Sequence, residues 1–264
     1  MQGGRYIGSP PRRKRQTVSR SQAPPGPPSY ALHMTERAVS IGTLREKPLH
    51  ASLKQWYALP GDGVEVPIDT FVVDLVRDDL LVEIQTRSFS SMRQKLRSLL
   101  DLGHRVRIVH PIAIEKWLVK IDDEGTVLGR RRSPKHGVLT DVFAELVSFP
   151  DLLAHPGLEV EVLLTREEEL RRHTPDQAWR RKGWVVVERR LLEVVESHRL
   201  DNTPDLLDLI PTGLPDEFTT ADLASGLSQP RRSGQQMAYC LARAGVIAQT
   251  GKRGNAVLYR VESV

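Results

Sequence analysis

The segment Phe71-Val-Val-Asp74-Leu-Val-Arg-Asp-Asp-Leu-Leu-Val-Glu83-Ile-Gln85-Thr86 constrains this chain more than any other stretch. It predicts two short strands around a tight turn at Asp78-Asp79, each strand carrying one acid. Strands built from Val, Leu, Ile and Phe belong in a sheet covered on both faces. A carboxylate inside such a strand is costly unless its charge is compensated, so two that face each other require a cation. Counting inward from the turn, Asp74 is expected opposite Glu83, with Gln85 on the same face two residues on.

The 264 residues suit two domains of ordinary size. No apolar run approaches a membrane span, and the basic N-terminus lacks the apolar stretch of a secretory signal. A single cysteine, Cys240, excludes an intramolecular disulfide framework and a multi-cysteine zinc site. A cytoplasmic location is therefore expected. The net charge of +5 is unevenly spread: residues 1–35 and residues 229–260 each hold six Lys/Arg and no acid, while residues 36–228 carry a net −6. An acidic body between basic ends points to a polyanionic partner held by the ends.

Residues 1–35, rich in Pro, Ser, Gly and Arg, read as a disordered basic tail, with Met34 as an alternative start. Residues 36–165 read as a first domain. Leu49, Leu53, Trp56 and Tyr57 recur at helical spacing behind Pro48. After the strand pair, Phe89 to Leu100 predicts a helix ending near Gly103. Arg105–His110 and Glu115–Ile121 predict two further strands, and the turn 122–125 a hairpin to Val127-Leu128. Gly129–Gly137 reads as a basic loop, Asp141–Leu153 as a helix and Leu158–Leu164 as extended. Residues 166–185 are charge-dense and read as a solvated connector. The whole predicts an α/β (α+β) chain with a mixed-sheet core.

Residues 186–264 form the second predicted domain. Thr219–Gly226 and Pro230–Arg243 predict two helices, followed by strands at 246–250 and 256–260 around Gly251-Lys-Arg-Gly-Asn255. This pattern resembles the winged helix-turn-helix. Arg231, Arg232, Gln235 and Gln236 would face base edges and phosphates from the second helix, and Lys252 and Arg253 the DNA backbone from the hairpin. The same module could serve dimerisation or partner docking instead, which makes a homodimer a further option. Met237, Cys240, Leu241 and Val246 read as core.

The acidic strand pair resembles the PD-(D/E)XK nuclease superfamily, with Asp74 as the first acid and Glu83-Ile84-Gln85-Thr86 as the second motif. The resemblance covers about residues 42–121 and implies an α-β-β-β-α-β core, with Glu46 as an extra acid near the first helix. It implies Mg²⁺ (or Mn²⁺) held by Asp74 and Glu83 and phosphodiester hydrolysis on DNA. The motif lysine is replaced by Gln85, which cannot supply a positive charge. Gln85 would then position a water. Lys95 on the following helix is the expected replacement cation, ahead of Arg87 and Arg93; the alternative is structural pairing, of Asp74 with Arg77 or Arg105 and of Glu83 with Arg87 or Lys95, which perturbs charge without catalysis. Asp69 is an alternative first acid. His50 and His110 read as a helix-surface residue and a strand end. If no cation reaches Glu83, the chain is expected to be a DNA-binding regulator on a nuclease-like scaffold.

Overall fold

The computed structural model of the protein describes residues 47–175 and 182–262. The tail over 1–35, Met34 and Glu46 lie outside the described residues.

Helix α1 (Pro48–Tyr57) starts on Pro48, whose fixed φ suits a first turn, and buries Leu49, Leu53 and Tyr57. Strands β1 (Gly63–Ile68), β2 (Phe71–Arg77) and β3 (Leu80–Ile84) follow as an antiparallel meander. Its two-residue turns place Asp69 and Asp78 at positive φ, a conformation Asp tolerates. Asp69 is thus an exposed turn residue and no rival to Asp74. A 3₁₀ turn over Phe89–Met92 feeds α2 (Arg93–Asp101), and Gly103 at φ 84° ends it.

Strand β4 (Arg105–Ile121) then lies parallel to β3, completing the order α-β-β-β-α-β. Strand β5 (Val127–Arg132) folds back on the far half of β4. Short helical turns over 139–152, among them α3 (Phe143–Leu146), lead to β6 (Leu158–His173), parallel to β4. Strand β7 (Trp184–Leu200) runs antiparallel to β6. The result is a mixed α+β fold on a seven-stranded mixed sheet, ordered β1-β2-β3-β4-β6-β7 with β5 on β4.

Four expectations are corrected here. The two strands expected over 105–121 are one, interrupted by a bulge between Ala113 and Glu115. Gly129–Arg132 belongs to β5 rather than to a loop. The helix expected over 141–153 is broken into short turns, with Pro150 opening a new one. The connector at 166–185 is, where described, the distal half of β6 and the start of β7. Its charges are tolerated because cross-strand partners neutralise them, as Arg189 does for Glu167. Because β7 ends at Leu200, the C-terminal module begins beyond it rather than at 186.

Helix α1 covers one face of the sheet through Leu75, Val82, Ile84, Val109 and Leu163. Helix α2 and the turns over 139–152 cover the other through Leu81, Val106, Ile108 and Val160. Edge strand β7 skips Val187, Leu192 and Val195 in its pairing with β6, and these three are exposed. Such bulges blunt an edge against pairing with another chain.

The C-terminal module comprises α4 (Thr203–Leu207), α5 (Thr220–Gly226), α6 (Arg231–Arg243) and the hairpin β8 (Ile247–Arg253) to β9 (Ala256–Val261). Thr219 caps α5, its hydroxyl accepting the Ala221 and Asp222 N–H groups. Gly234 lets α5 and α6 meet: a Cβ there would lie 2.2 Å from Thr220 O. Met237, Cys240 and Leu241 join Phe143 and Leu146 in one hydrophobic cluster, so the module is docked on the body. No described helix is long and apolar enough to cross a membrane.

Candidate active site

Three acids lie on three neighbouring strands, and each has its own basic partner. Glu65 falls between the pairs Val64↔Leu75 and Val66↔Val73, which brings it level with Asp74. The pairing of β2 with β3 runs from Arg77↔Leu80 to Leu75↔Val82 and stops short of Asp74 and Glu83. In place of the next ladder bond, Asp74 Oδ2 accepts the Ile84 N–H at 2.8 Å. The same oxygen lies 3.2 Å from His50 Nε2. Lys54, one helical turn beyond His50 on α1, donates to Glu65 at 2.8 Å.

Glu83 faces the other helix. Lys95 of α2 places its ammonium 2.5 Å from Glu83 Oε1 and donates to Val72 O at 2.6 Å. Glu83 Oε1 is buried, and the Lys95 ammonium is the cation set against it. Burial raises the Glu83 carboxyl above its ordinary value; the nearby Asp74 charge adds to that, and Lys95 offsets it only in part. Burial also works to raise Asp74, but the hydrogen bond and charge of His50, with the Ile84 N–H, outweigh it and hold this carboxyl low.

The expected convergence of Lys95 on Glu83 is therefore present. The expected regular facing of Asp74 and Glu83 is corrected, since Asp74 turns its carboxylate to α1 and the Ile84 amide. Gln85 is corrected as well: its side-chain amide donates to Ser88 O and Ser91 Oγ, which commits it to the turn before α2. Arg87 and Arg93 are exposed and make no ion pair among the described residues. His110, read as a strand end, is buried with its imidazole held below its ordinary value by desolvation; its Nδ1 lies 2.6 Å from Gln85 O. Lys54 and Glu65 escaped the sequence reading, and His50, expected on the helix surface, lies against Asp74. Only the i, i+4 spacing of His50 and Lys54 on α1 hinted that both face one way.

Among the described residues, no three His, Cys, Asp or Glu side chains gather closely enough to hold a metal by themselves. Asp74 and Glu83 are hard oxygen donors on adjacent strands, with the Asp74 carboxylate turned to α1 and the Glu83 carboxylate to α2, the helices that cover opposite faces of the sheet. A Mg²⁺ or Mn²⁺ ion takes one or two carboxylates and fills its other positions with water and phosphate, and here it would share Glu83 with the Lys95 ammonium.

On the C-terminal module, Arg231, Arg232 and Gln235 are exposed at the start of α6, and Gln236 is partly exposed. Lys252 and Arg253 are exposed at the hairpin tip. The six cations of 229–260 are not equivalent. Arg243, Arg253 and Arg260 pair with Asp151, Asp222 and Glu217, whereas Arg231, Arg232 and Lys252 make no ion pair among the described residues.

No solved structure matches the chain. An uncharacterized protein of Treponema pallidum (strain Nichols) is 30% identical over 228 residues, which cover 85% of this chain and 88% of that protein. A family described as a domain of unknown function, DUF8091, matches residues 47–201, a span that opens just before α1 and closes just after β7. The chain belongs to the DUF8091 family.

Proposed function

We propose that the chain is a divalent-metal-dependent nuclease that hydrolyses DNA phosphodiesters in a PD-(D/E)XK-like core and engages DNA through a winged-helix-like module. The observation that carries this reading is the Lys95 ammonium 2.5 Å from Glu83 in a chain whose elements run α-β-β-β-α-β. Lys95 of α2 would return to Glu83 the positive charge that Gln85 lacks. Asp74 and Glu83 would hold Mg²⁺ or Mn²⁺, which supplies an acidic bound water and neutralises charge on phosphate. The chain's own groups do the rest. The Ile84 N–H and His50 orient the Asp74 carboxylate. Val72 O and Glu83 hold the Lys95 ammonium, a preorganised charge for the oxygens that become more negative during attack. Gln85 orders the turn before α2. Arg231, Arg232, Gln235, Gln236, Lys252 and Arg253 would bring an otherwise acidic body to DNA.

Purified protein incubated with supercoiled plasmid and Mg²⁺ or Mn²⁺ tests this reading. Wild type should nick the plasmid, and Glu83→Ala should lose roughly 100-fold or more in rate. Cleavage that persists unchanged in Glu83→Ala removes the site. A second reading, a DNA-binding regulator on a nuclease-like scaffold, is favoured by the basic side chains already seated on both carboxylates. It predicts salt-sensitive DNA binding with no cleavage of any DNA or RNA.

A further inference from the structure

Beyond the bulge at Ala113–Glu115, β5, β4, β6 and β7 continue as a four-stranded arm, and its two faces differ in charge. Partners across a ladder share a face, and alternate residues change face. One face carries Arg130, Arg132, Arg166, Arg172 and Arg190, set among Glu115, Glu168, Glu188 and Glu193. Every one of these arginines is in an ion pair, Arg172 with Asp123 in the adjoining turn.

The other face carries Lys116, Lys120, Arg131, Arg171 and Arg189 against only Glu167 and Glu169. Both acids are buried, Glu167 completely. They lie beneath their partners: Arg189 on Glu167, and Lys116 with Arg171 on Glu169. The acids are more deeply buried than the cations that pair with them, and Lys120 and Arg131 are the exposed charges of this face. Lys120 is exposed over the Trp184 ring at 4.2 Å, and exposed Arg131 makes no ion pair among the described residues. The track also comes to the segment that follows β3, because Arg189 donates to Thr86 O, three residues on from Glu83.

We propose that this face of the arm is a second DNA-backbone contact, separate from α6 and its hairpin, which receives the duplex as it leaves the candidate site. Lys116 to Lys120 spans about 13 Å of strand, roughly four nucleotide steps along a B-DNA axis. Exposed Lys120 and Arg131, beside cations that cover buried acids, suit phosphates, which carry charge without demanding a base sequence. The identity of the partner rests on the DNA reading above, but the location of the surface does not.

The test measures affinity of the full chain for a duplex as a function of salt. Lys120→Ala/Arg131→Ala leaves no buried carboxylate without its partner. It should weaken binding and flatten the log–log salt slope by about 0.9 for each phosphate no longer neutralised. Arg132→Ala/Arg190→Ala on the opposite face should leave both quantities unchanged. Arg231→Ala/Arg232→Ala should add a separate loss. An unchanged slope in Lys120→Ala/Arg131→Ala overturns the arm contact while leaving the DNA reading intact. Equal losses from the two arm faces overturn it as well, because net charge alone would then be responsible. A wild-type chain that binds no DNA overturns both readings together.

Discussion

Strands β4 and β6 run parallel for their whole length, yet their two halves solve different problems. Val106–Ile112 pairs with Leu158–Leu164 inside a sheet covered by α1 on one face and by α2 with the helical turns on the other. Glu115–Ile121 pairs with Arg166–Arg172 in an arm whose own apolar cluster is only Val119, Ile121 and Leu170. The near half is held by removal of apolar side chains from water. The far half is held by backbone ladders and a lattice of opposite charges. Exposed ion pairs contribute little each, so the arm should be the softer part of the sheet and the freer to carry binding groups.

That contrast can be broken by measurement, beginning where the expected effect is greatest. Ile108→Ala, in the near half and fully buried, should cost about 4 kcal/mol, and Leu170→Ala, in the arm, about 2 kcal/mol or less. Chemical denaturation that gave equal losses would erase the distinction. Next in size is the junction. Arg189→Ala leaves Glu167 buried with only Thr165 Oγ as partner and should cost about 3 kcal/mol, visible in the same unfolding experiment.

The acid limb of stability is a smaller effect and belongs to the near half. The folded Asp74 carboxyl is held below its unfolded value, so its contribution is full above about pH 4 and is lost as pH falls through the folded value. Asp74→Asn should therefore flatten the acid side of a stability-versus-pH curve, and an unchanged curve would mean that His50 does not hold this carboxylate. The smallest effect is expected on the arm's neutral face. Arg190→Ala removes an exposed pair with Glu188 and should change stability by less than about 0.5 kcal/mol.

What could be read in advance divides along the same line. The strand pair around Asp78-Asp79, α1 behind Pro48, α2 before Gly103 and the two helices with their hairpin were legible because apolar period and turn residues agreed. The arm was not. Residues 166–173 alternate charge with charge, so no apolar period marks them as strand; only their partners on β4 and β7 make the pattern sensible. Lys95 could be named because its position on the α2 face followed from helical spacing. The setting of Asp74 could not, because the phase argument assumes an unbroken ladder, and here the carboxylate replaces a ladder bond at Ile84. His50 looked like surface because its partner is 24 residues away on another element.

The most direct test of the central claim is the rate of plasmid nicking by Lys95→Met in Mg²⁺, measured beside its affinity for the same DNA. A working site predicts a rate lower by roughly 100-fold or more, with affinity unchanged. Nicking at the wild-type rate, or a wild-type protein that binds DNA and cuts nothing, would contradict it.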